Sequence, residues 1–338
     1  MRLFVGTYSD KIHTLHFDPV SLRLEHGTPT PGPGNPSWLE FHPSLRVLYA
    51  ANEMRDGSVT AYAIAPDGLA ARATQPTHGA DPCHLGIIGG LLVAANYTSG
   101  HVTVFPLDAQ GMPGPASQVI AHRGASLHQT RQASAHPHHV GVHAGRLLIS
   151  DLGLDALVAY RVSNGVLVAD GPAIGTPLGG GPRRFGVHPA LPIAYVLNEL
   201  HATITRYSTG APGGWLACET VPVLPCGYTG GRSGAELAIA ASGRFLYASN
   251  RGHDSIAVFA LDGDGVPHLR GHVPSGGAGP RHIEISPCGN FLAAANQHTD
   301  RVTMFLIDTT TGQPHQIAGA SVQKPVCVRF VAEYQAAF

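Results

Sequence analysis

Charge is scarce in this chain. Lys, Arg, Asp and Glu make up 13% of its 338 residues, and the formal net charge is −1. That excludes a basic field for nucleic acid and an acidic tail for a basic partner. The five cysteines, Cys83, Cys218, Cys226, Cys288 and Cys327, are scattered and odd in number. They form no CxxC pair, so neither a disulfide framework nor a zinc site is indicated. No run of about 18 apolar residues exists to span a membrane. The opening "MRLFVGTYSD" enters a strand pattern directly, without an apolar signal core or a cleavage site. The expectation is a soluble cytoplasmic protein whose residues 1–338 form one domain with a large core.

What is abundant is glycine (42), proline (27) and histidine (21). Glycine and proline are spread through the chain, which marks many turns and no low-complexity segment. The histidines raise the expectation of a site that uses imidazole. The strands themselves repeat. "RVLYAANE", "GLLVAANY", "RLLISDLG", "IAYVLNEL", "RFLYASNR" and "FLAAANQH" align on Asn52, Asn96, Asp151, Asn198, Asn250 and Asn296, and "RLFVGTYS" joins them at Thr7. The intervals between these seven positions are 45, 44, 55, 47, 52 and 46 residues. A further strand follows most of them, as in "SVTAYAI" and "SIAVFAL". A proline-led strand precedes most of them, as in "NPSWLEFHP" and "GPRRFGVHP".

Four short strands per unit, at a period of about 40–50 residues, are the blades of a β-propeller. The C-terminal "KPVCVRF" is a first strand without its second, and the N-terminal "RLFVGTYS" is a second strand without its first. Paired in space they complete one unit. The predicted fold is therefore all-β: a seven-bladed propeller with one blade closed by the N- and C-terminal strands.

In such a ring the first strand of each blade lines the central channel, and functional groups collect at its mouth. Two positions per blade are expected there. One follows the strand-opening proline: Ser37, Cys83, His138, Arg183, Arg281 and Val326, with Glu236 as the counterpart in "GAELAIAAS". The other follows the aligned Asn: Tyr8, Glu53, Tyr97, Leu152, Glu199, Arg251 and Gln297. The charged members are His138, Arg183, Glu199, Glu236, Arg251 and Arg281, with Glu53 set apart. Arginine suits bidentate binding of carboxylate or phosphate, and His and Glu suit proton transfer. Strand-end charges are often only weak surface pairs, but three Arg, two Glu and a His at equivalent positions point to a site for a small anion. The aligned Asn residues themselves are expected to bond local backbone in turns.

Other motifs carry less. "LGGGPRRF" leads into a strand and so is no phosphate-binding loop. There is no Gly-x-Ser-x-Gly elbow. In "HPHH", His136 and His138 alternate on a strand and could both face inward, but no further ligands follow at metal spacing, and no metal site is assigned.

Taken together, "NPSWLEFHPSLRVLYAANE", "RQASAHPHHV", "GPRRFGVHPALPIAYVLNE", "AELAIAASGRFLYASNRGHDSIAVFAL" and "GPRHIEISPCGNFLAAANQ" resemble the seven-bladed propeller lactonase family. That family includes propeller-type 6-phosphogluconolactonases and carboxy-cis,cis-muconate lactonizing enzymes. The resemblance spans about residues 3–330. It implies lactone chemistry at the channel mouth, with His138, Arg183, Glu199 and Arg251 as catalytic residues. His136, Glu236, Arg281, His282 and Glu53 are expected to contact substrate. The chain reads "AHPHHV" where the family often has "PHAHS", which leaves open which His works. The expected function is a lactonase acting on a sugar-acid lactone such as 6-phosphogluconolactone, with no cofactor and no metal. A muconate-type cycloisomerase and a non-catalytic binding propeller are the alternatives. The expected partner is a small anionic lactone, with no nucleic acid and no membrane; the sequence does not decide between monomer and dimer.

Overall fold

The structure is a computed structural model that describes residues 1–211 and 214–331; the expected domain's remaining positions, 212–213 and 332–338, lie outside the described residues. The chain forms seven antiparallel sheets, each built on a path of four strands. Six of them are runs of consecutive strands. The seventh joins Pro325–Phe330 to Arg2–Thr7, Lys11–Asp18 and Arg23–His26. Val5 pairs with Val328 across that seam, so the termini close one blade as the split repeat implied. Among the described residues a single 3-10 turn, Gln297–Thr299, interrupts the strands.

The first strands of the blades are Pro325–Phe330, Pro36–Phe41, Pro82–Ile88, Pro137–His143, Pro182–Val187, Ser233–Ile239 and Pro280–Ile285. Each touches the corresponding strand of the next blade, so together they form the inner ring. Proline at the first position of a strand costs no ladder hydrogen bond. The second strands are almost entirely buried, and four of them from end to end, as in "VLYAAN" and "IAYVLN". Their side chains fill the clefts between blades.

Tyrosines latch one blade to the next. Tyr49, Tyr195 and Tyr247, all fully buried, donate hydroxyl hydrogen bonds to the carbonyls of Gly111, Gly265 and Gly312 at 2.6, 2.6 and 2.8 Å. A buried phenol needs such an acceptor. These glycines sit in left-handed turns, with φ of +79°, +71° and +77°, where a Cβ would be strained.

The aligned Asn residues are fully buried. They bond more than local turn backbone. Asn52 donates to Ser58 and Thr60, and Asn198 to Thr203 and Thr205. Asn250 reaches the Val223 carbonyl, 27 residues away. The amide ties the second strand to the third and to the preceding loop.

One irregularity recurs in all seven blades. The register between first and second strands slips just after the opening residue, for example between Pro137 and His139 and between Pro182 and Arg184. Equivalent slips occur in the other five. A bulge of this kind re-aims side chains. Here it lets two consecutive residues reach the channel in two tiers. His138, Arg183 and Arg281 form part of the tier nearer the mouth, and His139, Arg184 and His282 part of the next.

This corrects the placement of Glu236. Gly234 pairs with Asn250 and so stands where the other blades have proline. Ala235 takes the position next to it, and Glu236 falls one tier deeper, with Arg184 and His282. The strand without a proline offered no anchor for that count.

Candidate active site

The mouth of the channel is organised around Glu199. It follows Asn198, and its side chain is only 4% exposed. Three guanidinium groups meet it: Arg131 at 2.7 Å, Arg251 at 3.0 Å and Arg183 at 3.1 Å. Burial disfavours the carboxylate, but Arg251, Arg183 and Arg131 outweigh that and hold the pKa of Glu199 at about 2. Glu199 is thus a firmly ionised counter-charge. Arg183 is itself strained electrostatically: burial and the neighbouring Arg251 lower its pKa to about 10, against the pull of Glu199. It still carries its charge at neutral pH. Arg183 also donates to the Ala235 carbonyl, and Arg251 to the Gly234 carbonyl at 3.5 Å.

A second pairing lies beside the first. Tyr8 donates to Glu53 at 2.7 Å. Arg281 lies over the Tyr8 ring, 5.2 Å from its centre, and 3.9 Å from Glu53. Glu53, set apart in the sequence, therefore belongs to the mouth. Counting Arg131, Arg183, Arg251 and Arg281 against Glu199 and Glu53, the mouth carries an excess of positive charge. Buried, incompletely matched arginines are expensive for stability. Their arrangement is that of a receptor for an anion.

His138 is buried among these cations. Burial, then Arg183, Arg281 and Arg251, push its pKa well below the ordinary imidazole value. The ring is neutral at pH 7, and so able to take up a proton. His136 lies beside it but is used differently. Its ring stacks on Tyr97 at 4.6 Å, and its Nδ1 contacts the Tyr97 carbonyl at 2.8 Å. Tyr97 meets His138 edge-on at 5.7 Å.

His282 and Glu236 do not join this cluster. His282 accepts a hydrogen bond from the Val328 amide through Nδ1, which leaves its Nε2 proton facing Glu236 at 3.7 Å. Glu236 is also ion-paired to Arg184. The space between the two tiers is a pinch of about 20 Å³, room for about one water.

Arg131 is the site residue that the repeat pattern missed. It stands outside the blade frame, in the segment between Gln118–Ala121 and Pro137–His143. That segment accounts for the 55-residue interval from Asn96 to Asp151, the longest of the six. The excess length was the available signal. Gln132, next in sequence and fully buried, anchors the segment by donating to the Leu152 carbonyl and to Asp155 at 2.8 and 2.7 Å. Arg131 is thereby carried over the mouth, where it also donates to the Tyr97 hydroxyl at 3.1 Å. Among the described residues, no group of three or more His, Cys, Asp or Glu is gathered to hold a metal ion, and no helix is long and apolar enough to cross a membrane.

A seven-sheet ring with an arginine-lined, histidine-bearing mouth is the architecture of the family described as "Lactonase, 7-bladed beta-propeller", whose profile matches residues 2–330. The chain belongs to that family and is a lactone hydrolase. Among its relatives is the 6-phosphogluconolactonase of Bacillus subtilis strain 168, 32% identical over 274 residues, 77% of each protein. A putative 6-phosphogluconolactonase from Bacteroides fragilis superposes with a TM-score of 0.92 at 30% identity, covering 98% of both chains. The periplasmic gluconolactonase PpgL of Pseudomonas aeruginosa superposes with a TM-score of 0.91 at 29% identity, covering 98% of this chain and 99% of that one.

Proposed function

We propose that this protein hydrolyses a sugar-acid lactone, 6-phosphogluconolactone or a closely related aldonolactone, at the arginine-lined mouth. The observation that carries the reading is a neutral, buried His138 among Arg183, Arg251 and Arg281. A base must be unprotonated to act, and an anionic ester needs cations to hold it. Arg183 and Arg251 hold the lactone carbonyl oxygen as it becomes an oxyanion, and Arg281 and Arg131 take the anionic substituent. His138 accepts a proton from water as the water oxygen attacks the carbonyl carbon. The tetrahedral intermediate collapses, the bond from that carbon to the ring oxygen breaks, and His138 returns its proton to the departing oxygen. The product is the open hydroxy acid.

Glu199 serves this scheme by position. With a pKa of about 2 it is a weak base, and its role is to orient three arginines. The reaction so written uses no cofactor and no metal. The name of the Bacillus subtilis relative favours the phosphorylated sugar lactone, and that of the Pseudomonas aeruginosa relative an unphosphorylated one in the periplasm. We place the present protein in the cytoplasm; a signal in the periplasmic fraction of cells would overturn that placement. The decisive assay is a panel read by acid release: 6-phosphogluconolactone, glucono-δ-lactone, an unrelated aldonolactone and a muconolactone. Turnover of the sugar lactones, fastest with the phosphate, is expected. Activity confined to the muconolactone would replace hydrolysis with the cycloisomerase reaction.

A further inference from the structure

The channel widens again beyond the pinch. At the end opposite the mouth it opens into a cavity of about 400 Å³, to which all seven inner strands contribute. That volume lies in the range of small-molecule sites. The space between the two ends has room for about one water.

The chemistry of this cavity differs from that of the mouth. Its charges are already matched. Arg329 is bound to Glu284 at 2.8 Å and to Glu40 at 3.2 Å, and Arg184 is paired with Glu236. Among the lining residues two carboxylates, Glu40 and Glu284, face two guanidiniums, Arg184 and Arg329, whereas at the mouth four guanidiniums face two carboxylates. An anion entering here would break an existing pair and leave a buried charge alone, which is costly.

One buried polar atom of the lining is nevertheless unsatisfied. His139 lines the cavity and is 5% exposed, and its Nδ1 has no hydrogen-bond partner. The lining also includes the aliphatic residues Val187, Leu237, Ile239 and Ile283, of which Leu237 and Ile283 are mostly buried in the cores between blades. Trp38, also in the lining, stacks on His84 at 3.8 Å. A ligand that suits this site must donate to carboxylates and accept from guanidinium or imidazole without carrying charge, and must offer a hydrocarbon face to the aliphatic residues. Hydroxyl groups on a carbon ring meet both demands, since each hydroxyl is donor and acceptor at once.

We propose that the cavity opposite the mouth is a second ligand site, for a neutral polyhydroxylated molecule of mono- to disaccharide size. The test is calorimetric titration of the intact protein with methyl α-glucoside, sucrose and myo-inositol, alongside gluconate and inorganic phosphate. At least one neutral polyol should bind with 1:1 stoichiometry. Binding should weaken at least tenfold in Ala238→Phe, which fills the cavity, and in Val187→Phe, which fills it from another blade and serves if the first variant does not fold. It should persist in Arg251→Ala, which damages only the mouth. Hydrolysis by a folded cavity variant should match that of the parent. The proposal is overturned if no neutral polyol binds at 10 mM, if a polyol that binds is lost in Arg251→Ala, or if both cavity variants fold and bind as the parent does. Gluconate or phosphate binding that is sensitive to Ala238→Phe would overturn it equally.

Discussion

Replacing Glu199 with Gln keeps the shape of the side chain and removes its charge. Its pKa of about 2, against an ordinary 4.5, means that the folded site prefers the carboxylate over the acid by on the order of 3 kcal/mol. The sign follows from linkage. A carboxyl whose pKa is depressed by folding adds stability above its unfolded pKa, near 4.5, and loses it as pH falls toward 2. At pH 7 the variant should therefore lack roughly 3 kcal/mol of stability, and three arginines lose their shared counter-charge. An unfolding entropy of about 2.1 cal/mol/K per residue, over 338 residues, converts this to a melting point about 4 °C lower. At pH 3 the gap should shrink by more than half, because the carboxyl of the unfolded parent, with its pKa near 4.5, is by then protonated. Differential scanning calorimetry of both proteins at pH 7, 5 and 3 measures this directly. In kinetics, Glu199→Gln should cost less than His138→Gln, since only the latter removes the proton acceptor. A melting-point gap that is constant from pH 7 to 3 would refute the three-arginine clamp. A kinetic loss in Glu199→Gln equal to or greater than that in His138→Gln would return the role of base to the carboxylate.

Other outcomes are open to measurement. His138→Gln should lower kcat about 100- to 10,000-fold with an unchanged melting point. Because burial and then the neighbouring arginines lower the His138 pKa, kcat/KM should stay flat as pH falls through 6.5 and decline only at more acid pH; a limb centred at 6.5 or above contradicts this. Arg251→Ala should cost about 2–4 kcal/mol in kcat/KM, roughly 30- to 1,000-fold, and raise KM as well. Arg131→Ala, at a side chain 41% exposed, should raise KM for anionic lactones while leaving the thermal transition in place. Exhaustive chelation should leave activity intact; loss restored by a divalent ion would reopen the His136–His139 region as a metal site.

The blade count was legible because six of the seven blades end the second strand in Asn or Asp, and the seventh, at Thr7, keeps the same frame. A fully buried Asn or Asp there is irreplaceable enough to show through a divergent sequence. The terminal seam was legible from the two unpaired half-units. Arg183, Glu199 and Arg251 were legible for the same reason, being fixed relative to the Pro and Asn anchors. Where an anchor was missing the count slipped: Gly234 stands in for proline, and Glu236 was placed one tier too high. The bulge itself has no signature in residue type, so the second tier of Arg184 and His282 could not be separated from the first. Arg131 lies in an insertion outside the repeat, and only a fold brings it 68 residues along the chain to Glu199. Nor does residue type show that the Glu199 carboxylate meets three guanidiniums.

The seam that joins Arg2–Thr7 to Pro325–Phe330 also sets a schedule for synthesis. The second strand of that blade leaves the ribosome first, and its partner emerges after almost all of the rest. At about 5–20 residues per second, the early strand waits roughly 15–65 s with one edge unpaired. An open edge is a template for pairing with another chain. The ring therefore has a long nascent stage in which every other blade can be complete while the circle is still open, and slow translation or truncation before residue 325 would prolong that exposure.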